Sequence, residues 1–250
     1  MKSTLTAIIV IAFLQTACDH APGTVEEKVT FFEPAPGTNE IDSSKVSALV
    51  ESYRSRNDTE LGAAMNDPDY NKRAAAARIR LERDGISATA GGIETIRTRY
   101  LGDPNRAAYG FWLLGNIAAQ GAFGSAIRKV VLDWVEKHPH DPICDQALWA
   151  LGETGSDEAL EEFFKIAGDL DRYGPQARER SFCCISQCGR YSGRTRFEKI
   201  PRILELAKKH RDHQQTQGWC RLALHDMAPS VNAHSLEEWG KWWEAQQKLR

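Results

Sequence analysis

Five residue groups in this 250-residue chain could do chemistry by type and spacing. The first is Cys183, Cys184 and Cys188, a cluster that resembles half a zinc site. With Cys144 and Cys220 elsewhere, it could equally supply disulfides in an oxidising compartment. The second and third are histidine groups, His138 and His140 beside Asp141, and His210 with His213, each at ligand-like spacing. Both fall in predicted loops or frayed helix ends, where a solvated histidine is the default, so no metal or other cofactor is expected. The fourth is Arg190-Tyr191-Ser192-Gly193-Arg194-Thr195-Arg196, where three guanidinium groups and an aromatic ring suit a carboxylate or phosphate partner. The fifth is Cys18, at the end of an N-terminal apolar run. A glycine-rich phosphate cradle, a nucleophile elbow and an HExxH pattern are all missing, so the sequence calls for no catalytic residues.

The elements that must carry these groups are almost all helical. Asp141 to Leu170 reads as one helix-turn-helix unit. Pro142 opens the first helix, Ala147, Leu148, Trp149 and Leu151 form its apolar stripe, and Gly152 and Gly155 stop it. Ser156 caps a second helix that carries Leu160, Phe163, Phe164 and Ala167 to Gly168. Neither helix buries its apolar face alone.

A spacing of 37 residues extends the pattern. It sets Leu114-Gly115 on Leu151-Gly152 and on Cys188-Gly189, Trp112 on Trp149, Phe111 on Leu148, Ile185 and Leu222, and Phe182-Cys183 on Trp219-Cys220. Asp-Pro or Gly-Pro pairs at 67–68, 103–104, 141–142 and 174–175 punctuate it. These units, with their ALWALGETGSDEAL block, resemble HEAT-like repeats of the short bacterial type over roughly Asp67 to Pro229. The resemblance implies an all-α solenoid, a right-handed superhelix of helical hairpins, and says little about chemistry. About five or six helical pairs are expected. Ser235 and Glu238 form a capping box for a C-terminal lid helix with Trp239, Trp242 and Trp243.

Before the repeats, Lys2 and the apolar run Ala7 to Leu14 form a segment too short to span a bilayer. It ends in Leu14-Gln15-Thr16-Ala17-Cys18, which is similar to a bacterial lipoprotein signal. Three regions follow: 1–17, a signal peptide; 18–41, a lipidated N-terminus and tether with Cys18 as the lipidated residue; and 42–250, the helical part. Gln15 departs from the usual apolar residue. Asp19 resembles an inner-membrane retention signal, which implies the periplasmic face of the inner membrane in the cell envelope. Asp19 to Glu40, rich in Pro and Gly, could extend to roughly 70 Å at about 3.1 Å per residue. Val29 to Phe32 is a short apolar exception within it.

The full chain carries 32 basic and 34 acidic residues. Loss of Lys2 takes the formal charge from -2 to -3, with no field that implies nucleic acid. Locally, 141–171 holds nine acidic residues and one lysine, whereas 172–211 holds eleven basic and three acidic. Either neighbouring repeats neutralise each other, or the Arg190 to Arg196 loop recognises an anionic partner.

Helical phase at 100° per residue, with the 37-residue offset, pairs Cys144 with Cys183; the candidates for Cys220 are Cys184, at nearly the same level, and Cys188, better in phase but displaced by about 7 Å, and Cys184 is preferred, leaving Cys188 free. The expected function is a membrane-tethered scaffold that binds an unidentified protein or an anionic envelope polymer. The alternative is an enzyme or enzyme subunit, by analogy with lyases built from similar repeats. The sequence leaves the oligomeric state open.

Overall fold

A computed structural model describes residues 42–248, apart from Asn66, Pro68, Ser87, Ala88, Gln120, Ala122 and Gly189. Cys18, the signal segment, the tether and its Val29 to Phe32 run therefore lie outside the described residues. Among the described residues there are thirteen helices and no strand.

The helices are α1 (Ser43–Tyr53), α2 (Asp58–Met65), α3 (Tyr70–Arg83), α4 (Ala90–Arg99), α5 (Pro104–Ala119), α6 (Gly124–Lys137) and α7 (Cys144–Gly152). After them come α8 (Asp157–Gly168), α9 (Pro175–Gln187), α10 (Gly193–Phe197), α11 (Ile200–Lys209), α12 (Gln214–Met227) and α13 (Leu236–Lys248). With the five-residue α10 set aside, they make six consecutive pairs. The first members pack in series, α1 on α3, α3 on α5, α5 on α7, α7 on α9 and α9 on α12. Second members cover them: α2 packs on α3, α4 on α5, α6 on α7, α8 on α9, and α11 on α12.

Local chemistry explains the boundaries. Asp42 accepts hydrogen bonds from the Ser44 and Lys45 amides at 2.8 and 3.2 Å and starts α1. Asn57 and Glu60 bond reciprocally to each other's amides at 2.8 and 2.9 Å and start α2. Ser156 Oγ accepts from the Ala159 amide at 3.1 Å, and Ser235 Oγ from the Glu238 amide at 3.2 Å, so both predicted caps form. Glu238 closes the second box by accepting from the Ser235 amide at 3.3 Å, and it also accepts from the His234 amide at 2.6 Å.

Packing then follows side-chain size. Ala74 to Ala77 are all buried on α3, and their small volume lets α1, α2 and α5 approach closely. In α5 and α7, Phe111, Leu114, Leu148 and Leu151 are fully buried at the positions the 37-residue register predicts. Each such side chain stabilises the fold by about 1.5–3 kcal/mol. The register fails at one place. Ile185 is fully buried, whereas Leu222 is 64% exposed, because α12 turns Cys220, Ala223 and Leu224 inward instead.

Part of the segregated charge is paired inside the fold. Arg180 on α9 reaches back to Asp145 on α7 through two bonds, Nε to Oδ1 at 2.7 Å and Nη2 to Oδ2 at 2.9 Å. Glu161 on α8 takes Arg202 at 2.5 Å and Lys199 at 3.6 Å. Neighbouring pairs thus neutralise one another across the boundary between the acidic and basic stretches.

Candidate functional site

The Arg190 to Arg196 segment is more deeply engaged than its composition suggests. Its second half is not a loop, since Ser192 caps the Thr195 amide at 3.0 Å and opens α10. Tyr191 is 3% exposed, and its hydroxyl donates to the Ser156 carbonyl at 2.9 Å in the turn between α7 and α8. Burial pushes its phenol well above the ordinary tyrosine value. Arg190 crosses Gly155, which holds a positive φ of 59° in that turn. A Cβ at Gly155 would run into Arg190, so this close approach needs glycine twice over. Arg196 Nη1 donates to the Cys188 carbonyl at 3.2 Å, and exposed Arg194 pairs with Glu198 at 3.2 Å. The segment therefore works first as a clasp between α9 and the α7–α8 turn.

The five described cysteines are thiols, and neither predicted disulfide forms. Cys144 Sγ donates to the His138 carbonyl at 3.1 Å, away from Cys183. Cys184 Sγ points to the Leu148 carbonyl at 3.6 Å, so it faces α7, whereas Cys220 lies on α12. Cys188 shares that side, for a Cβ at Gly152 would meet the Cys188 and Cys184 sulfurs at 2.8 and 3.1 Å. Burial pushes Cys144 and Cys220 up to about 12 and raises Cys183, Cys184 and Cys188 as well. Because the thiolate is the reactive form, native Cys18→Ser protein at pH 8 should resist Ellman's reagent at every remaining site but half-buried Cys183, and denaturant should release the rest. Rapid reaction of several thiols in native protein would show that the helices do not shield them.

The histidines serve as structural partners. His138 packs its ring on Trp134 at 4.5 Å, and His140 lies beside Gly174. His213 Nδ1 accepts from the Thr216 amide at 3.2 Å as the cap of α12, and His210 Nε2 bonds the Gly168 carbonyl at 3.0 Å. Among the described residues no group of three or more His, Cys, Asp and Glu is placed to hold a metal ion.

Two features escape a reading by motif. One is a cleft of about 580 Å³ between α8 and α11, with Phe164 and Leu206 as apolar wall and both Lys165, Lys209 and His210 and the carboxylates of Asp169 and Asp171 around it. It continues past Arg202, whose guanidinium lies 3.9 Å from the centre of the Phe164 ring. Only the folded chain brings these two helices side by side. The other is Arg178, buried on α9, whose side chain has no hydrogen bond or ion pair among the described residues. A signal for it existed in the sequence, because 178, 182 and 185 follow helical spacing and place a guanidinium on the stripe of Phe182 and Ile185. No family model, curated protein or solved structure matches the chain.

Proposed function

We propose that the chain is a HEAT-like α-solenoid scaffold, a right-handed superhelix of helical hairpins, held at the periplasmic face of the inner membrane through a lipidated Cys18. The serial packing of α1, α3, α5, α7, α9 and α12 supports this reading, because each pair is completed by its neighbours and an extended surface results. No helix among the described residues is long and apolar enough to cross a membrane, so the tether supplies the attachment in this proposal. The partner is a protein segment that offers one apolar side chain to Phe164 and Leu206 and carboxylates to Lys165 and Lys209.

Both halves of the proposal are testable in intact cells. Cys18→Ser should move the protein from the membrane fraction to the soluble one. A photo-crosslinker at position 206 should give a discrete adduct that is lost in Lys165→Glu/Lys209→Glu, whereas one at exposed position 222 should give none. Unchanged fractionation defeats the lipid anchor, and equal adducts from both positions defeat the cleft.

A further inference from the structure

Arg178 stands in the first turns of α9 with its side chain turned inward, and the residue is 5% exposed. Its Nε and Nη1 are buried without hydrogen-bond partners, and it makes no ion pair among the described residues. Arg180, two residues on, shows the usual solution with its paired bonds to Asp145. Among the described residues the Arg178 guanidinium is set against the face of Trp219, with its carbon 5.3 Å from the ring centre. That cation–π contact compensates a buried charge only in part. An unpaired buried guanidinium is strongly destabilising, and removing one partner from a buried pair has the same physical origin.

The helix ends that meet here add positive charge, while Asp169 and Asp171 line the adjoining cleft with Lys209 and His210. Phe182 packs on Trp219 at 6.0 Å, and Ser186 reaches Asp226 at 3.3 Å, so α9 and α12 run parallel with their N-termini at the same end. Both helix dipoles present their positive ends at this corner. The C-terminus of α11 brings Lys209 and His210 to it, both bonded to the Gly168 carbonyl at 3.3 and 3.0 Å. The His210 imidazole registers the field: burial lowers its proton affinity most, and Lys209, His213 and Arg178 lower it further against the opposite pull of the Gly168 carbonyl.

We propose that this corner, where α9 and α12 begin beside the end of α11, binds a small oxyanion, a phosphate or carboxylate group, with Arg178 as its principal ligand. Nε and Nη1 of Arg178 are both without a partner, and Nη2 shares one edge of the planar guanidinium with each of them, so either edge can meet two oxygens of one anion, and two helix N-termini favour the same charge. Nothing in this depends on the scaffold reading, since the buried charge needs a counter-charge whatever the chain binds elsewhere.

The test uses the purified full chain at pH 7, with ionic strength held by sodium chloride. Inorganic phosphate and acetate are titrated separately while unfolding is followed by calorimetry. At least one should raise the melting temperature saturably, by about 3 °C or more. A response to phosphate alone assigns a phosphate site, to acetate alone a carboxylate site, and to both a general oxyanion site. Arg178→Lys keeps the charge but loses the fork and should shift the response to at least about tenfold higher anion concentration. Arg178→Met should abolish the response and melt above anion-free wild type. If the Met variant does not fold, Arg178→Lys still decides. No response of wild type to either anion up to about 50 mM overturns the proposal, and so does a response that both variants retain unchanged.

Discussion

Trp149→Ala should lower the unfolding free energy by about 3 kcal/mol, the lower end for loss of a large aromatic because Trp149 is only half-buried. Trp149 on α7 lays its ring on Gly115 of α5, and Arg73 of α3 stands 5.5 Å from the ring centre. One side chain thus touches three successive first helices. A Cβ at Gly115 would come within 2.9 Å or less of three ring atoms, so Gly115→Ala forces α5 and α7 apart and should cost about 1–3 kcal/mol. The two changes are not independent. In the double variant the new methyl occupies space the indole has left, so the combined loss should fall short of the sum by at least about 1 kcal/mol. Urea unfolding of the four proteins measures the cycle. Additivity to within about 0.5 kcal/mol would show that ring and glycine do not set the approach of these helices.

That contact also shows where sequence reading stops. The caps at Ser156 and Ser235, the stripe of Leu148 and Leu151, and the pairing of helices were legible because each depends on residues three to eight positions apart. The relative rotation of two helices depends on every side chain between them. The 37-residue register therefore predicted burial correctly for Phe111 and Leu148 and failed at Leu222, once α12 had turned to bury Ala223 and Leu224. The disulfide expectation failed for a related reason. Phase on a single helix gave an angle for Cys184 but not which neighbour it faced, and it faces Leu148 on α7 rather than Cys220 on α12. The cleft between α8 and α11 joins residues about forty positions apart, and no local pattern marks it. Segregation of acidic and basic stretches was visible in composition, but only the fold shows Asp145 meeting Arg180 and Glu161 meeting Arg202.

The Arg190 to Arg196 segment is the sharpest test of the difference between composition and role. Tyr191→Ala should destabilise the protein by about 3–5 kcal/mol, because it empties a buried aromatic site and removes the donor to the Ser156 carbonyl. Tyr191→Phe isolates the second contribution. It keeps the ring and loses one partly buried hydrogen bond, which should cost about 0.5–1.5 kcal/mol, or up to about 3 if the carbonyl finds no water. Arg194→Ala removes an exposed pair with Glu198 and should change stability by no more than about 1 kcal/mol. A clasp between α9 and the α7–α8 turn requires this steep order, Tyr191→Ala well above Tyr191→Phe and Arg194→Ala near zero, in chemical denaturation. A surface recognition loop requires the reverse pattern, with all three variants as stable as wild type and partner adducts lost in Arg194→Ala. Because the hydroxyl of Tyr191 and the backbone of Arg190 grip the same turn at Ser156 and Gly155, loss of the ring should free both contacts together. Amide hydrogen exchange should then quicken at Ser156 and Ala159 before it quickens in the core of α7.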